Sequence, residues 1–388
     1  MDTLSSRIEN VTPSLTLAVT SQAKAMLAQG EEVYGLAGGE PEMDTPDHIK
    51  QAAFQALQEG KTKYTPAAGI PELREAISKK LLEENNVAYD AKQICVTSGG
   101  KQACFNTILA MCEEGDEVII PSPYWTSYPE MVRLAGATPV FVETKESNKW
   151  KITPEEFEEA MSPATKMIIL NTPGNPTGSV YSADELKALG EVAGYEDIII
   201  LADEIYEKLV YGENKHVSIS SLSEELYNLT VICSGFSKAY SMTGWRVGYT
   251  AAPEPLAEAI SKIQSHTSSN ATTFAQYGAL AALQGPQDFI EEMRGEYDVR
   301  RQFMLGRLRG ISNVTVVEPQ GAFYFLVNCT ELGLKSQNLC DKLLNRYKVA
   351  VVPGLAFGHD QAVRLSYSTT LDVLNEGISR FEEFCRSH

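Results

Sequence analysis

No stretch of this sequence holds an unbroken apolar run near the roughly 20 residues that span a bilayer, so membrane crossing is not expected. The first residues show no basic leader, apolar block and small-residue cleavage site, which gives no reason to expect export. The Asn-x-Thr sequons beginning at Asn10, Asn228, Asn270, Asn313 and Asn328 then read as accidents of composition. Cys-x-x-Cys pairs are missing. The seven cysteines (Cys95, Cys104, Cys112, Cys233, Cys329, Cys340 and Cys385) are odd in number and lie mostly in apolar surroundings, as thiols of a reducing cytoplasm would. Histidine is scarce: His216 and His266 alone fall in the central region, and neither has metal-ligand spacing, so no metal is expected. Positive charge is short as well. Lys and Arg number 33 against 51 Asp and Glu, and the formal charge of −18 disfavours nucleic acid and anionic membranes as partners. An anionic ligand must therefore be met by individual cations. Internal repeats, low-complexity tracts and long flexible linkers are absent too.

What is present is a chain of 388 residues, more than one hydrophobic core usually supports. Short β-rich runs alternate with longer helical patterns: ICVTSG (94–99), EVIIPSP (117–123), TPVFVET (138–144), KMIILNTP (166–173), IIILADE (198–204), LTVICSG (229–235) and RVGYTAAP (246–253). Several are continuously apolar, as strands covered on both faces must be. The alternation predicts an α/β fold: a mostly parallel, seven-stranded, doubly wound sheet in a large domain over 44–290. After Gly310 the pattern changes to strands separated by a helix, VTVVEP, GAFYFLV, SQNLCDKLLNRY, VAVVPG and AVRLSYS. A smaller α+β domain is expected from 1–43 plus 291–388, the N-terminal segment packing either there or on another subunit.

Ligands of such sheets bind beyond the carboxyl ends of the strands. SGGKQA passes from a strand through two glycines into a helix, which turns free amides and the helix dipole toward any phosphate. It is not a Walker loop, because Gln102 follows Lys101 where a Ser or Thr would be needed. LADEIYEKLVY presents Asp203 as it leaves an apolar strand, and a carboxylate there needs a partner. NTPGNPTG specifies a rigid turn that either is merely stabilised by its asparagines or aims one at a ligand. In SGFSKAYSMTGWRVGY the single lysine, Lys238, follows an apolar strand among small residues. A partly desolvated amine of this kind has a lowered pKa and attacks carbonyls. A phosphate cradle, an acid, a flat aromatic, an amide and an amine at strand ends of one sheet are together what pyridoxal 5'-phosphate requires.

These motifs, with GLAGGEPEMDTP, KYTPAAGIPELREAI, PSPYWTSYPEMV, PQGAFYFLV and VRLSYS, give the chain a resemblance to the fold-type I class I/II aminotransferases along nearly its whole length. Within that family it is most similar to the prokaryotic aspartate aminotransferase subgroup, on GGKQA and PYWTSYPEM. The resemblance implies that Lys238 binds the cofactor aldehyde and shuttles the substrate proton, that Asp203 pairs with the ring nitrogen, and that Asn175 and Tyr206 meet its phenolic oxygen. Trp125 would stack on the ring. The backbone around Gly100, Lys101 and Gln102, with Ser237 and Arg246, would hold the phosphate, joined by Tyr64 of a neighbouring subunit in a homodimer with shared sites. Gly235 stands where many relatives carry a phosphate-binding serine, and Ser234 is the nearest hydroxyl.

For the substrate, the resemblance implies that Arg364 clamps the α-carboxylate, for which a planar fork is suited. Gly39 lies on the loop that closes over it. Lys101, helped by Thr16, would read the distal carboxylate of aspartate or glutamate, with 2-oxoglutarate as acceptor in a ping-pong reaction. Aromatic, alanine or prephenate preference stays open, although Thr12 stands before Pro13 and Ser14 where prephenate users tend to carry a basic residue. So does a pyridoxal-phosphate-dependent lyase of the same fold. A noncatalytic regulator would be expected to show a basic helix-turn-helix or a lost lysine, and neither is seen.

Overall fold

The computed structural model describes residues 4–388. Its strands, in chain order, are β1 (Tyr34–Gly35), β2 (Ile94–Thr97), β3 (Glu117–Ser122), β4 (Thr138–Glu143), β5 (Thr165–Asn171), β6 (Ile199–Asp203), β7 (Thr230–Gly235), β8 (Gly248–Ala251), β9 (Thr315–Val316), β10 (Tyr324–Asn328), β11 (Val349–Ala350), β12 (Val352–Pro353) and β13 (Ala362–Ser366). Strands β2 to β8 form one seven-stranded sheet in the order β2-β8-β7-β6-β5-β3-β4. All seven fall on the β-rich runs expected from the sequence. The sheet is parallel except for β8, which runs antiparallel to both of its neighbours, β2 and β7.

Burial explains why these runs are strands. β2 and β8 are buried at every position, and in β6 and β7 only the first or last residue is less than buried. Helices cover both faces of these central strands, so their positions do not alternate to water, whereas the edge strand β4 keeps exposed residues. Between strands the chain turns into helices with local stop and start signals. Ser182 caps the helix Ala183–Tyr195, its hydroxyl accepting from the Glu185 amide while Glu185 reaches back to the Ser182 amide. Thr153 and Glu156 make the same reciprocal box before the helix Pro154–Ala160.

A second, four-stranded sheet has the order β12-β13-β10-β9, antiparallel at each pairing. The long helix Asp288–Arg309 and the C-terminal helix Leu371–Arg386 share its core through Met293, Tyr297, Met304, Ile378 and Phe381. From the N-terminal segment, β1 pairs parallel with β11, and Leu36 enters the same core. That pairing brings residues 34–40 across the chain to the edge of the larger sheet's ligand-binding end. Among the described residues no helix is long and apolar enough to cross a membrane.

Candidate active site

A cavity of about 420 Å³ opens where β5, β6 and β7 end, walled on the other side by the N-terminal segment and by β13. Its floor is Asp203, the last residue of β6. Burial pushes this carboxyl above the usual carboxylate range, and three donors work against that shift. Tyr128 Oη donates to Oδ2 at 2.6 Å, the Ile205 amide to Oδ1 at 3.2 Å, and Cys104 Sγ to Oδ2 at 3.7 Å. Asn171, at the end of β5, donates to the Asp203 carbonyl at 2.9 Å and accepts from the Asn175 amide at 2.8 Å. The NTPGNPTG turn is thus tied to the neighbouring strand end, and Asn175 faces the cavity.

Lys238 lies three residues beyond β7, with its Nζ bonded to the Gly39 carbonyl and 5.8 Å from the centre of the Tyr206 ring. Desolvation lowers its pKa from the ordinary 10.5 to about 8; the Arg364 and Arg246 charges act in the same direction and Glu40 opposes them. The amine is therefore poised to lose its proton near neutral pH, the state in which a lysine attacks a carbonyl. Tyr206 Oη and Tyr324 Oη are 2.9 Å apart behind it.

Arg364, in the middle of β13, is almost fully buried, and that burial lowers its pKa. Nη1 donates to Asn175 Oδ1 at 3.0 Å and Nη2 to the Ala37 carbonyl at 2.9 Å, while the ring of Tyr324 lies 4.3 Å from the guanidinium carbon. Its Nε is buried without a partner. A guanidinium held this way keeps donor capacity for a planar anion.

At the opposite end, Gly99 (φ +88°) leads into the helix Gly100–Met111, whose first turn opens on the cavity. A side chain at Gly99 would strike the Arg246 guanidinium, and one at Gly248 would sit 2.4 Å from the Gly100 nitrogen. Glycine is required at both places to seat the arginine against the helix start. Arg246 itself has φ +54°, and its Nη1 donates to the Thr243 carbonyl at 2.8 Å. Lys101 Nζ lies 5.0 Å from the centre of Trp125, and burial lowers its pKa too.

Of the residues named from the sequence, the cavity wall contains Thr16, Gly39, Gly100, Lys101, Trp125, Asn175, Asp203, Tyr206, Ser237, Lys238, Arg246 and Arg364. Gln102 is not among them: its side chain accepts from the Ser98 amide at 2.6 Å and donates to Ser268 at 2.9 Å, and its own amide bonds the Gly99 carbonyl. Tyr64 is 88% exposed beside a separate surface hollow with Ser268 and Asn270. Ser234 is buried with its hydroxyl 3.5 Å from the Glu204 carbonyl, outside the cavity wall.

Sequence reasoning missed Tyr128, Tyr324 and Glu40. Tyr128 opens the helix Tyr128–Ala135 three residues after Trp125, and Tyr324 lies on β10 beside the strand that carries Arg364; both placements could have found them. His216 has no ligand spacing along the chain, yet folding brings its ring and the carboxylates of Glu204 and Glu207 within 4.8 Å of one another. A strand-end turn and the following loop fold back together, a proximity that sequence separation hides. Lys80 already supplies a cation there, bonding Glu207 and, at 2.8 Å, Asn85.

An uncharged-prone amine, a buried acid and a glycine-lined helix start fit the aldehyde, ring nitrogen and phosphate of pyridoxal 5'-phosphate, and a buried guanidinium whose Nε lacks a partner fits a substrate carboxylate. Comparison with known proteins gives the same direction. Residues 31–381 match the model of the family described as "Aminotransferase class I and II". The chain is 47% identical to an aspartate aminotransferase of Geobacillus stearothermophilus over 98% of each chain. It is likewise 47% identical to a probable aspartate/prephenate aminotransferase of Aquifex aeolicus, again over 98% of each. Among solved structures, the Thermus thermophilus aspartate aminotransferase with maleate superimposes with a TM-score of 0.95 at 40% identity, covering 99% of this chain and 100% of that one.

Proposed function

The chain belongs to the class I and II aminotransferases, and from that premise we propose that it moves an amino group between L-aspartate or L-glutamate and a 2-oxo acid such as 2-oxoglutarate, with pyridoxal 5'-phosphate as cofactor. The observation that carries this reading is Lys238 facing the buried Asp203 within one cavity that Arg364 closes from β13. When bound, the cofactor supplies an electron sink that stabilises negative charge at the substrate Cα.

Each residue then has work that follows from its setting. Lys238, with its pKa of about 8, would hold the cofactor by its aldehyde, and its amine is placed to carry a proton to and from the substrate Cα. Asp203, whose charged form the Tyr128, Ile205 and Cys104 donors favour, would pair with the ring nitrogen. Asn175 and Tyr206 hold the phenolic oxygen, and Trp125 covers the ring. The backbone at the helix start around Gly100 and Lys101, with Ser237 and Arg246, would hold the phosphate, while Gln102, engaged by Ser98, Ser268 and Gly99, would support that turn from behind. Arg364 takes the α-carboxylate beside the backbone of Gly39, and Lys101 with Thr16 takes the distal carboxylate. Ser14 Oγ lies 2.9 Å from Thr16 Oγ1, which steadies that hydroxyl.

We also propose a homodimer in which Tyr64 reaches the phosphate of a second copy; its exposed ring, outside its own cavity wall, supports this. The division into domains of 44–290 and 1–43 plus 291–388 is supported by the β1–β11 pair and the core shared by Leu36 and the second sheet. Buried, unpaired cysteines support a cytoplasmic setting.

Lys238→Ala should lose the cofactor's lysine-bound visible absorbance and lower turnover by roughly 10⁴-fold. A variant retaining both would refute the assignment. A panel of amino donors with 2-oxoglutarate and oxaloacetate, run on wild type and Lys101→Ala, tests the substrate: aspartate turnover unaltered by the Lys101 change would refute the dicarboxylate reading.

A further inference from the structure

We propose that Glu40 holds the α-ammonium group of the incoming amino acid, so that this residue favours the amino donor over the oxo-acid acceptor; the inference rests on the aminotransferase reading above. The cavity wall carries four cationic side chains, Lys101, Lys238, Arg246 and Arg364, and two carboxylates, Asp203 and Glu40. Asp203 is the buried floor and is engaged by Tyr128, Ile205 and Cys104. Glu40 enters from the N-terminal segment on the opposite wall and is exposed to the cavity mouth.

Its carboxylate is positioned rather than free. Thr243 Oγ1 donates to Oε2 at 2.9 Å, which leaves Oε1 for a ligand. The preceding residue, Gly39, accepts from Lys238 Nζ, so Glu40 is anchored next to the reacting amine. Of the charges acting on that amine, Glu40 has the largest effect, which means its field reaches the point where a substrate nitrogen must arrive.

Charge matching does the rest. A dicarboxylic amino acid brings two carboxylates and one ammonium, and the corresponding oxo acid brings the same carboxylates and no ammonium. Arg364 and Lys101 answer the carboxylates in both. Only the amino acid brings a cation, and among the described residues Glu40 is the one wall carboxylate left to receive it. Toward the oxo acid the same group is repulsive, because it faces a dianion with nothing positive to offer.

The test uses Glu40→Gln in the cofactor-loaded protein, with two probes that cannot complete transamination measured by calorimetry. These are 2-methylaspartate, which has the ammonium but no hydrogen at Cα, and maleate, which has two carboxylates alone. Expected is a roughly three- to tenfold weaker Kd for 2-methylaspartate, a matching rise in KM for aspartate, and no weakening for maleate or 2-oxoglutarate. Parallel weakening of all four, or no change in any, would overturn the inference. Wild-type protein that fails to transaminate would instead overturn the underlying reading, so the two failures are separable.

Discussion

Tyr128 and Lys238 show how single side chains set the proton inventory of the cavity. Tyr128→Phe removes a 2.6 Å donor from a buried carboxylate, and hydrogen bonds to charged groups contribute about 1.5–3 kcal/mol. The cofactor-free protein should lose about 2 kcal/mol in urea unfolding and, when loaded, release cofactor faster on dialysis. Asp203→Asn should act oppositely on stability. Burial raises the Asp203 pKa, which means that the folded site disfavours the charged form, so a neutral amide there should leave the cofactor-free protein as stable or more stable while turnover collapses. For Lys238 the folded-state pKa of about 8 lies below the ordinary 10.5, so the folded protein binds fewer protons across that window. Cofactor-free stability should therefore gain a contribution as pH rises from about 8 to 10.5, and Lys238→Met should abolish that slope in thermal melts. Lys238 and Asp203 were legible in the sequence because a charge directly after an apolar strand has few places to go. Cys104 was not, because a thiol in an apolar helix reads as packing until its acceptor on another strand is known.

At the scale of elements, the seven sheet strands were readable because strands buried on both faces become continuous apolar runs. Their lateral order was not, since nothing in a run such as TVICSG says which neighbour it takes. The reversal of β8 was equally hidden, although two glycines hinted at it: Gly235 and Gly248 face each other in register, and a side chain on Gly235 would lie 2.8 Å from the Gly248 Cα. The β1–β11 pair, two residues on each strand, is too short for any periodicity to reveal. Gly248→Ala must push β8 away from the turn at Gly99 and Gly100, because the contacts at 2.4 and 2.5 Å are to backbone. We expect a loss of about 3 kcal/mol in denaturant unfolding, near the upper end of overpacking effects, with Arg246 displaced and phosphate affinity reduced.

For the whole molecule, the proposed dimer makes a prediction that no single chain can satisfy. If Tyr64 serves the cavity of a second copy, Tyr64→Ala and Lys238→Ala chains are each defective, but a mixed dimer contains one site with both lesions and one with neither. Unfolding and refolding the two together should restore about a quarter of wild-type activity, from random pairing of two subunit types. No recovery, with mixed dimers present by mass, would argue that Tyr64 acts within its own chain. Surface composition alone could not have revealed this arrangement, because an exposed tyrosine such as Tyr64 looks the same whether water or another subunit covers it. The larger sheet adds a constraint of a different kind. Lys238 sits just past the end of β7 and Arg246 just before β8, and the pairing of Gly235 with Gly248 closes the loop between them. Their separation of eight residues along the chain is therefore a ruler: an insertion or deletion inside it cannot be absorbed at the ends, and must move the amine relative to the guanidinium. A one-residue insertion or deletion in this interval should therefore cost activity even in a chain that still folds, because it changes the gauge and not the sheet.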